Sequence, residues 1–293
     1  MSKMPQLLTR SLKVALLQLA ATADKARNLS RVKEHVLIAA SNGAQLIVLP
    51  ECFNSPYSVA AFPQYAEYIP SGETTTFLSS LARETSTYLI GGSIPERDDA
   101  GKLFNTSLSF SPSGEIIAKH RKVHLFDIDI PGKITFKESE VLTGGDKITV
   151  FDIPPYGKVG LAICYDIRFP ELASIAARKE GVFAMIYPGA FNTTTGPLHW
   201  ELLGRARAVD NQIYTIMCSP ARDLTAGYHA YGSSMVVDPN GLILSKANEG
   251  EEIVYAELVS GRIEEVRSGI PVTTQRRYDI YPEVGDKVKT SAL

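Results

Sequence analysis

Three side chains of different chemical types occupy corresponding places in this sequence. Glu51 and Cys164 each follow a short apolar segment directly, and Lys122 ends a segment that is predicted to be a strand. Ligand sites in open α/β sheets lie at the carboxyl ends of the strands, so these residues are candidates for a shared site. A thiol, a carboxylate and an ammonium would supply a nucleophile, a general base and an electrophile that stabilises negative charge.

Each of these residues, taken alone, also has a purely structural explanation. A glutamate after a proline is commonly a solvated loop acid, a lysine is commonly a surface charge, and a cysteine in a buried strand is commonly a small core residue. The joint placement of Glu51, Lys122 and Cys164 favours chemistry, although spacing alone does not establish that they converge. The other two cysteines are predicted to pack, because Cys52 points away from Glu51 in an extended chain and Cys218 ends a buried strand.

The elements that must position these residues alternate between strands and amphipathic helices. Such alternation is typical of parallel strands that are covered by helices. Each half of the chain also contains a hairpin with a Pro and Gly turn, and no linker rich in Gly, Ser or Pro separates the halves. The predicted strands are 13–19, 45–49, 88–94, 158–164, 182–187 and 213–218; the helices are 25–41, 75–86, 171–179 and 197–211; the hairpins are 103–110 with 115–122 and 234–237 with 242–246, and strand 253–258 is placed beside the second hairpin.

The repeated order of elements predicts an α/β protein in which two mixed sheets pack face to face inside outer helices. We expect one domain over residues 1–284. The last nine residues, 285–293, contain two lysines and no apolar periodicity, which predicts a flexible C-terminal tail.

Composition excludes several classes of protein. The chain has 293 residues, of which 44% are hydrophobic and 21% charged, close to an average globular protein. A net charge of −2 without a basic block argues against nucleic acid, and no apolar run approaches the ~18 residues that a membrane span needs. Three cysteines, an odd number, argue against a disulfide framework and for the cytoplasm, although the absence of acidic residues before Asp24 leaves a mitochondrial location open.

We expect neither a metal nor a nucleotide cofactor. His120 and His124 have H-x-x-x-H spacing, but the segment is predicted to be strand and loop, and no general-base glutamate follows the first histidine. The pair Gly91-Gly92 lacks the glycine spacing of a phosphate-binding loop.

Three segments resemble the signature segments of the nitrilase (carbon-nitrogen hydrolase) superfamily: 49–51 (LPE), 120–127 (HRKVHLFD) and 160–172 (GLAICYDIRFPEL). The similarity extends over residues 13–281. The segments 51–57 (ECFNSPY), 187–192 (YPGAFN) and 195–203 (TGPLHWELL) further resemble its omega-amidase branch. The resemblance implies a four-layer αββα sandwich, a homodimer, and hydrolysis of the terminal amide of 2-oxoglutaramate or 2-oxosuccinamate to the dicarboxylic 2-oxo acid and ammonia.

The resemblance also implies roles for individual residues. Glu51 would act as general base, Cys164 would form a thioester, and Lys122 together with the backbone N–H of Tyr165 would stabilise the oxyanion. Glu138 matches an additional glutamate of the family pattern and would share Lys122. The segment 127–136, which contains a Pro-Gly pair, would cover the site.

We expect Asp166 and Arg168 to orient the loop behind Cys164 through a salt bridge. The alternatives are a deaminated glutathione amidase or another small-amide hydrolase of the superfamily, a Cys-His protease using His199 or His229, and a noncatalytic binding module in which Cys164 is a core thiol. The predicted substrate-binding residues are Tyr57, Phe126, Arg168, Phe191, Asn192 and Thr195.

Overall fold

Six α-helices and fifteen strands make up the regular structure of residues 6–281, the part of the chain that the computed structural model describes. The predicted tail, 285–293, lies outside these residues. The helices are α1 (Lys25–Ser41), α2 (Phe62–Tyr65), α3 (Glu73–Thr85), α4 (Pro170–Ile175), α5 (Gly196–Asn211) and α6 (Arg262–Gly269). The strands are β1 (Leu12–Gln18), β2 (Leu46–Val48), β3 (Tyr88–Ile90), β4 (Ile94–Arg97), β5 (Leu103–Phe110), β6 (Ile116–Arg121), β7 (Asp127–Ile130), β8 (Ile134–Lys137), β9 (Thr149–Ile153), β10 (Gly157–Leu161), β11 (Ala184–Pro188), β12 (Tyr214–Cys218), β13 (Met235–Val237), β14 (Ile243–Lys246) and β15 (Glu252–Leu258).

The strands form two large sheets and a separate two-stranded hairpin. The first sheet has the order β15-β1-β2-β3-β5-β4, with β6 also paired to β5, and the second has the order β14-β13-β12-β11-β10-β9. Strands β1, β2 and β3 are parallel, as are β10, β11 and β12. The predicted hairpins β5–β6 and β13–β14 are antiparallel, and β7–β8 forms the separate hairpin.

Adjacent residues of β1 show how the layers are stacked. Leu16 packs in a central cluster with Ile186 of the second sheet. Leu17 points the other way and packs in a cluster with Val36 of α1. Trp200 of α5 belongs to a third cluster, on the outer face of the second sheet. Because side chains alternate between the two faces of a strand, these clusters define helix, sheet, sheet and helix layers, and the predicted αββα sandwich is confirmed.

Some predictions about single elements are wrong. The strand expected beside the second hairpin, β15, instead pairs antiparallel with β1 in the first sheet over seven residues. The predicted strand 88–94 is two strands, β3 and β4, because the chain turns at Gly92, whose φ is +56°. The helix predicted over 171–179 is α4 followed by a π-helical turn at Ala176–Glu180.

Candidate active site

The ends of three strands bring Glu51, Lys122 and Cys164 into one buried region. Glu51 follows β2, Lys122 follows β6 and Cys164 follows β10, and the three residues are between 0% and 3% exposed. The Lys122 ammonium lies 3.0 Å from Glu51 Oε1. The Cys164 thiol is close enough to the same carboxylate for the Glu51 charge to raise the pKa of the thiol. The solvated-loop explanation for Glu51 and the surface explanation for Lys122 are therefore both wrong.

Cys164 occupies a strained turn at the end of its strand. Its φ is +46°, in the left-handed region, and it begins a short 3-10 helix, Cys164–Arg168. Gly189 makes room for this turn, since a methyl group there would lie 3.1 Å from Cys164 Cα. Burial, together with the neighbouring Glu51 charge, raises the pKa of the Cys164 thiol well above its ordinary value. The resting thiol is therefore protonated, and a base must remove its proton before it attacks.

Glu51 accepts hydrogen bonds from three separate elements. Its Oε1 accepts from Asn105 Nδ2 at 2.8 Å as well as from Lys122, and its Oε2 accepts from the backbone N–H of Ala190 at 2.7 Å. Burial raises the pKa of Glu51 above its ordinary value, against the opposing effect of Lys122. A buried carboxylate that is fixed in place and has a raised pKa is well suited to take the thiol proton.

Lys122 lies between two carboxylates. Its ammonium is 2.9 Å from Glu138, which also accepts from the Tyr57 hydroxyl at 2.7 Å and from the Phe126 backbone N–H at 2.8 Å. Burial alone would lower the pKa of Lys122, but Glu138 and Glu51 outweigh it and raise that pKa well above its usual value. Lys122 is therefore a permanent cation, and the predicted sharing of this lysine between Glu51 and Glu138 is present in the structure.

A cavity of about 640 Å³ opens beside this cluster, with Glu51 and Tyr57 in its wall. Three aromatic rings form one side: Tyr57 stacks on Phe136 with ring centroids 5.4 Å apart, and Tyr228 lies 4.5 Å from Tyr57. Phe136 belongs to β8 in the segment that was predicted to cover the site. The cavity is lined by Ala20, Ala21, Thr22, Ala23, Glu51, Cys52, Ser55, Pro56, Tyr57, Ser58, Ile134, Thr135, Phe136, Ala190, Pro220, Ala221, Asp223, Thr225, Ala226, Gly227, Tyr228 and Ala230.

Of the six predicted substrate-binding residues, Tyr57 is the one that lines this cavity. The hydroxyl of Tyr57 already donates to Glu138, which leaves its ring to face the cavity. Asn192 Oδ1 accepts from the backbone N–H of Thr195 at 2.8 Å, just before α5. The ring of Phe191 packs against Trp200, with centroids 5.1 Å apart. These contacts hold the segment after β11 beside Cys164, and substrate binding by its side chains stays a prediction.

The predicted salt bridge between Asp166 and Arg168 is not formed. Asp166 is fully buried and accepts from His120 and His124, so its oxygens are already used. Arg168 donates to His199 Nδ1 at 3.1 Å and lies with its guanidinium carbon 4.6 Å from the ring centroid of Phe191. The contact with Arg168 also occupies Nδ1 of His199, one of the histidines considered as a partner of Cys164 in a protease.

The other two cysteines are buried, as predicted. Cys218 is fully buried in the central cluster, and Cys52 is 1% exposed in a small cluster with Phe62. The expectation that an extended chain points Cys52 away from Glu51 is wrong, because Cys52 lies in a turn with φ of +51° and lines the cavity together with Glu51.

Two residues that contact the site were not predicted. Asn105 is a polar residue inside a buried strand, a pattern that could have indicated a buried partner, whereas nothing local distinguishes Tyr228.

Residues 6–281 contain neither a metal-binding cluster nor a membrane-spanning helix. No group of three or more His, Cys, Asp or Glu side chains in this part of the chain is placed to hold a metal ion. Within the same residues no helix is both long and apolar enough to cross a lipid bilayer.

Comparison with known proteins identifies the family. The carbon-nitrogen hydrolase family model matches residues 13–268. The chain is 54% identical to omega-amidase NIT3 of Saccharomyces cerevisiae, over 95% of this chain and 98% of that protein, and 55% identical to human omega-amidase NIT2, over 92% and 97%. The crystal structure of Saccharomyces cerevisiae Nit3, described as a member of branch 10 of the nitrilase superfamily, superposes with a TM-score of 0.86 at 50% identity, covering 94% of this chain and 99% of that one. The chain belongs to the carbon-nitrogen hydrolase family of the nitrilase superfamily.

Proposed function

We propose that this protein is an omega-amidase, which hydrolyses the terminal amide of 2-oxoglutaramate or 2-oxosuccinamate to the dicarboxylic 2-oxo acid and ammonia. The observation that carries the chemistry is the buried Glu51 carboxylate, which contacts the Lys122 ammonium at 3.0 Å and interacts electrostatically with the Cys164 thiol. The choice of substrate is supported by relatives named omega-amidase that are 54% and 55% identical over more than nine-tenths of the chain.

In the first step Glu51 removes the thiol proton while Cys164 Sγ attacks the amide carbon. Because the pKa of the thiol is raised by burial, attack depends on this proton transfer. The carbonyl π electrons move to oxygen and form a tetrahedral oxyanion. Lys122 and the backbone N–H of Tyr165 stabilise that oxyanion, with a contribution on the order of 3 kcal/mol per donor.

In the second step the tetrahedral intermediate collapses to a thioester. The carbon–nitrogen bond breaks, and Glu51 returns its proton to the departing ammonia. A water molecule then attacks the thioester while Glu51 takes its proton. The carbon–sulfur bond breaks to release the acid, and Glu51 passes the proton to the departing thiolate, which regenerates the thiol. Glu51 therefore acts as base in both halves of the reaction.

Glu138 keeps Lys122 in place through the reaction. The Glu138 charge raises the pKa of Glu51 and so partly offsets the lowering by Lys122, which makes Glu51 a better base. Tyr57 and the Phe126 backbone N–H fix the Glu138 carboxylate, so the ammonium is held from a side that Glu51 does not occupy.

For the 2-oxo acid end of the substrate we assign Arg168, with Phe191, Asn192 and Thr195 nearby. The two charged residues in the cavity wall, Glu51 and Asp223, are both acidic, so a carboxylate substrate needs a cation from outside that wall. Arg168 interacts electrostatically with Cys164, and its Nε is buried without a partner. Both properties support a guanidinium that receives an anionic substrate close to the nucleophile.

We further propose a homodimer in the cytoplasm, with one catalytic domain over residues 1–284. Leu198, Leu202 and Val209 lie on one face of α5 and are exposed, which supports burial of that face by a second copy of the chain. The three free, buried cysteines support a reducing compartment. A monomeric mass in sedimentation equilibrium would refute the dimer, and cell fractionation tests the compartment.

A larger substrate is the second candidate. The cavity of about 640 Å³ has room for a longer amide such as deaminated glutathione.

The deciding experiment measures ammonia release from 2-oxoglutaramate, deaminated glutathione, glutamine and a simple nitrile, by the unmodified protein and by Cys164→Ala. Release from the 2-oxo amide alone, lost in the variant, supports the proposal. A preference for deaminated glutathione would change the assigned substrate and leave the proposed thioester chemistry in place. No release from any compound, with an inert Cys164, favours the binding module.

A further inference from the structure

One buried carboxylate connects the turn that carries Cys164 with the segment that carries Lys122. Asp166 lies two residues after Cys164 and is 0% exposed. Its Oδ2 accepts from the Ile163 backbone N–H at 3.0 Å, directly before Cys164, and from His120 Nε2 at 3.1 Å. Its Oδ1 accepts from His124 twice, from the backbone N–H at 2.9 Å and from Nδ1 at 2.8 Å.

The two histidines are placed symmetrically about the lysine. His120 comes two residues before Lys122 and His124 two residues after it, so Asp166 holds this segment on both sides of the ammonium. Each histidine is fixed in turn. Thr149 Oγ1 lies 2.9 Å from His120 Nδ1, and the ring of His124 stacks on Phe169 with centroids 3.6 Å apart and planes 8° from parallel.

Asp166 acts as an ionised acceptor in this cluster. Burial alone would raise the pKa of Asp166, but the hydrogen bonds from His120 and His124 outweigh it and hold that pKa well below its ordinary value. Hydrogen bonds to an ionised group are shorter and roughly twice as strong as neutral ones. Four donors on one buried charge therefore hold the two segments in a fixed relative position.

We propose that Asp166 is a positioning residue of the amidase reaction, which fixes the strained turn at Cys164 relative to Lys122 through His120 and His124. The proposal rests on the proposed function, because it assumes that Cys164 and Lys122 act on the same substrate carbonyl. Asp166 is fully buried and both of its oxygens are occupied by donors of the protein, so it acts through these neighbours rather than by touching substrate.

The test replaces Asp166 with asparagine, which has nearly the same size. The amide keeps one acceptor oxygen, but its NH₂ group faces two of the four donors, so the turn and the Lys122 segment lose part of their connection. A displacement of 1 Å in a catalytic group costs on the order of 100-fold in rate. We expect kcat to fall by about that factor, with KM unchanged within about twofold, because no substrate contact is lost.

Alkylation of Cys164 separates positioning from a purely structural role. Iodoacetamide modification, quantified on the peptide that contains Cys164, reports the thiol and its base without any substrate. We expect Asp166→Asn to slow it by a factor similar to the fall in kcat. The matched control is Asp152→Asn, on an exposed aspartate of β9, which should leave both rates unchanged.

The outcomes are distinguishable. A lower melting temperature with unchanged kcat and alkylation rate would overturn the proposal and make Asp166 a structural residue only. If Asp166→Asn does not fold, His124→Ala replaces it, because the His124 side chain is 28% exposed and tolerates removal; unchanged rates in that variant would equally overturn the proposal. If the unmodified protein releases no ammonia from 2-oxo amides while Asp166→Asn still slows alkylation, the substrate assignment fails and the positioning role stands.

Discussion

Replacing Glu51 with glutamine is the perturbation that the structure makes most informative. Glutamine has nearly the same shape, yet it cannot accept at both ends. If its oxygen faces Asn105 and Lys122, its NH₂ meets the Ala190 N–H, and the reverse orientation leaves the other two donors unpaired. One such mismatch costs about 1–3 kcal/mol, which a protein with about 5–15 kcal/mol of stability survives. The variant should therefore fold.

The catalytic loss should be much larger than the loss in stability. General-base catalysis contributes about 10²–10⁴-fold, which corresponds to roughly 3–5 kcal/mol of activation free energy. Glu51→Gln should lower kcat for 2-oxoglutaramate by at least about 100-fold, because the same carboxylate serves both halves of the reaction. The assay is steady-state ammonia release, with a thermal melt to establish folding. Glu84→Gln, which changes a surface glutamate paired with Lys33, is the matched control and should keep full activity.

A folded Glu51→Gln variant with a kcat within a few-fold of the unmodified protein would refute the role of Glu51 as base. It would favour a mechanism in which a histidine activates Cys164. The pH profile of the unmodified protein adds an independent check. Because the base must be ionised and burial raises the pKa of Glu51, kcat/KM should increase with pH through a midpoint above about 4.3, the usual value for glutamate.

Three further predictions concern stability, packing at the Cys164 turn and the identity of the nucleophile. Burial alone would raise the pKa of Glu96, but hydrogen bonds from Arg121 and Lys119 outweigh it and lower that pKa to about 2. The ionised Glu96 therefore stabilises the folded state above pH 4.5, and this stabilisation is lost as the pH falls towards 2. In chemical unfolding Glu96→Gln should lower the free energy of unfolding by about 2 kcal/mol at pH 7 and by much less at pH 2. Gly189→Ala should lower kcat and cost about 1–3 kcal/mol, because its methyl group would press on the Cys164 turn; unchanged values of both would contradict the close approach described above. Cys52→Ser should retain ammonia release, whereas Cys164→Ser should abolish it. The reverse result would show that Cys164 is not the nucleophile.

Local structure was predictable where the cause is local. Helix α1 spans Lys25–Ser41 as predicted, because Asp24 caps its start through a hydrogen bond to the Arg27 N–H and Gly43, with φ of +80°, follows its end. The apolar run of β1 likewise gives its position. The partner of β15 was not predictable, since the residues it pairs with lie more than 200 positions away and alternation identifies a strand without its neighbour.

The site was predictable in its residue types and only partly in its contacts. Strand ends indicated Glu51, Lys122 and Cys164, because parallel strands have their carboxyl ends at the same edge of a sheet. The contacts of Asp166 were predicted wrongly, since proximity in sequence suggested Arg168 while the true donors, His120 and His124, lie more than 40 residues away. The composition of the cavity wall, which combines loops from distant parts of the chain, could not be derived from local patterns.

In the proposed mechanism Cys164 forms a thioester with the acyl part of the substrate. The most direct test mixes the protein with excess 2-oxoglutaramate, quenches with acid during turnover, and measures the mass of the peptide that contains Cys164. We predict an increase equal to the mass of the product acid minus water, on that peptide alone and absent in Cys164→Ala. An unmodified Cys164 peptide from a preparation that is releasing ammonia, under conditions where acylation outpaces hydrolysis, or an adduct on Cys52, would contradict the claim.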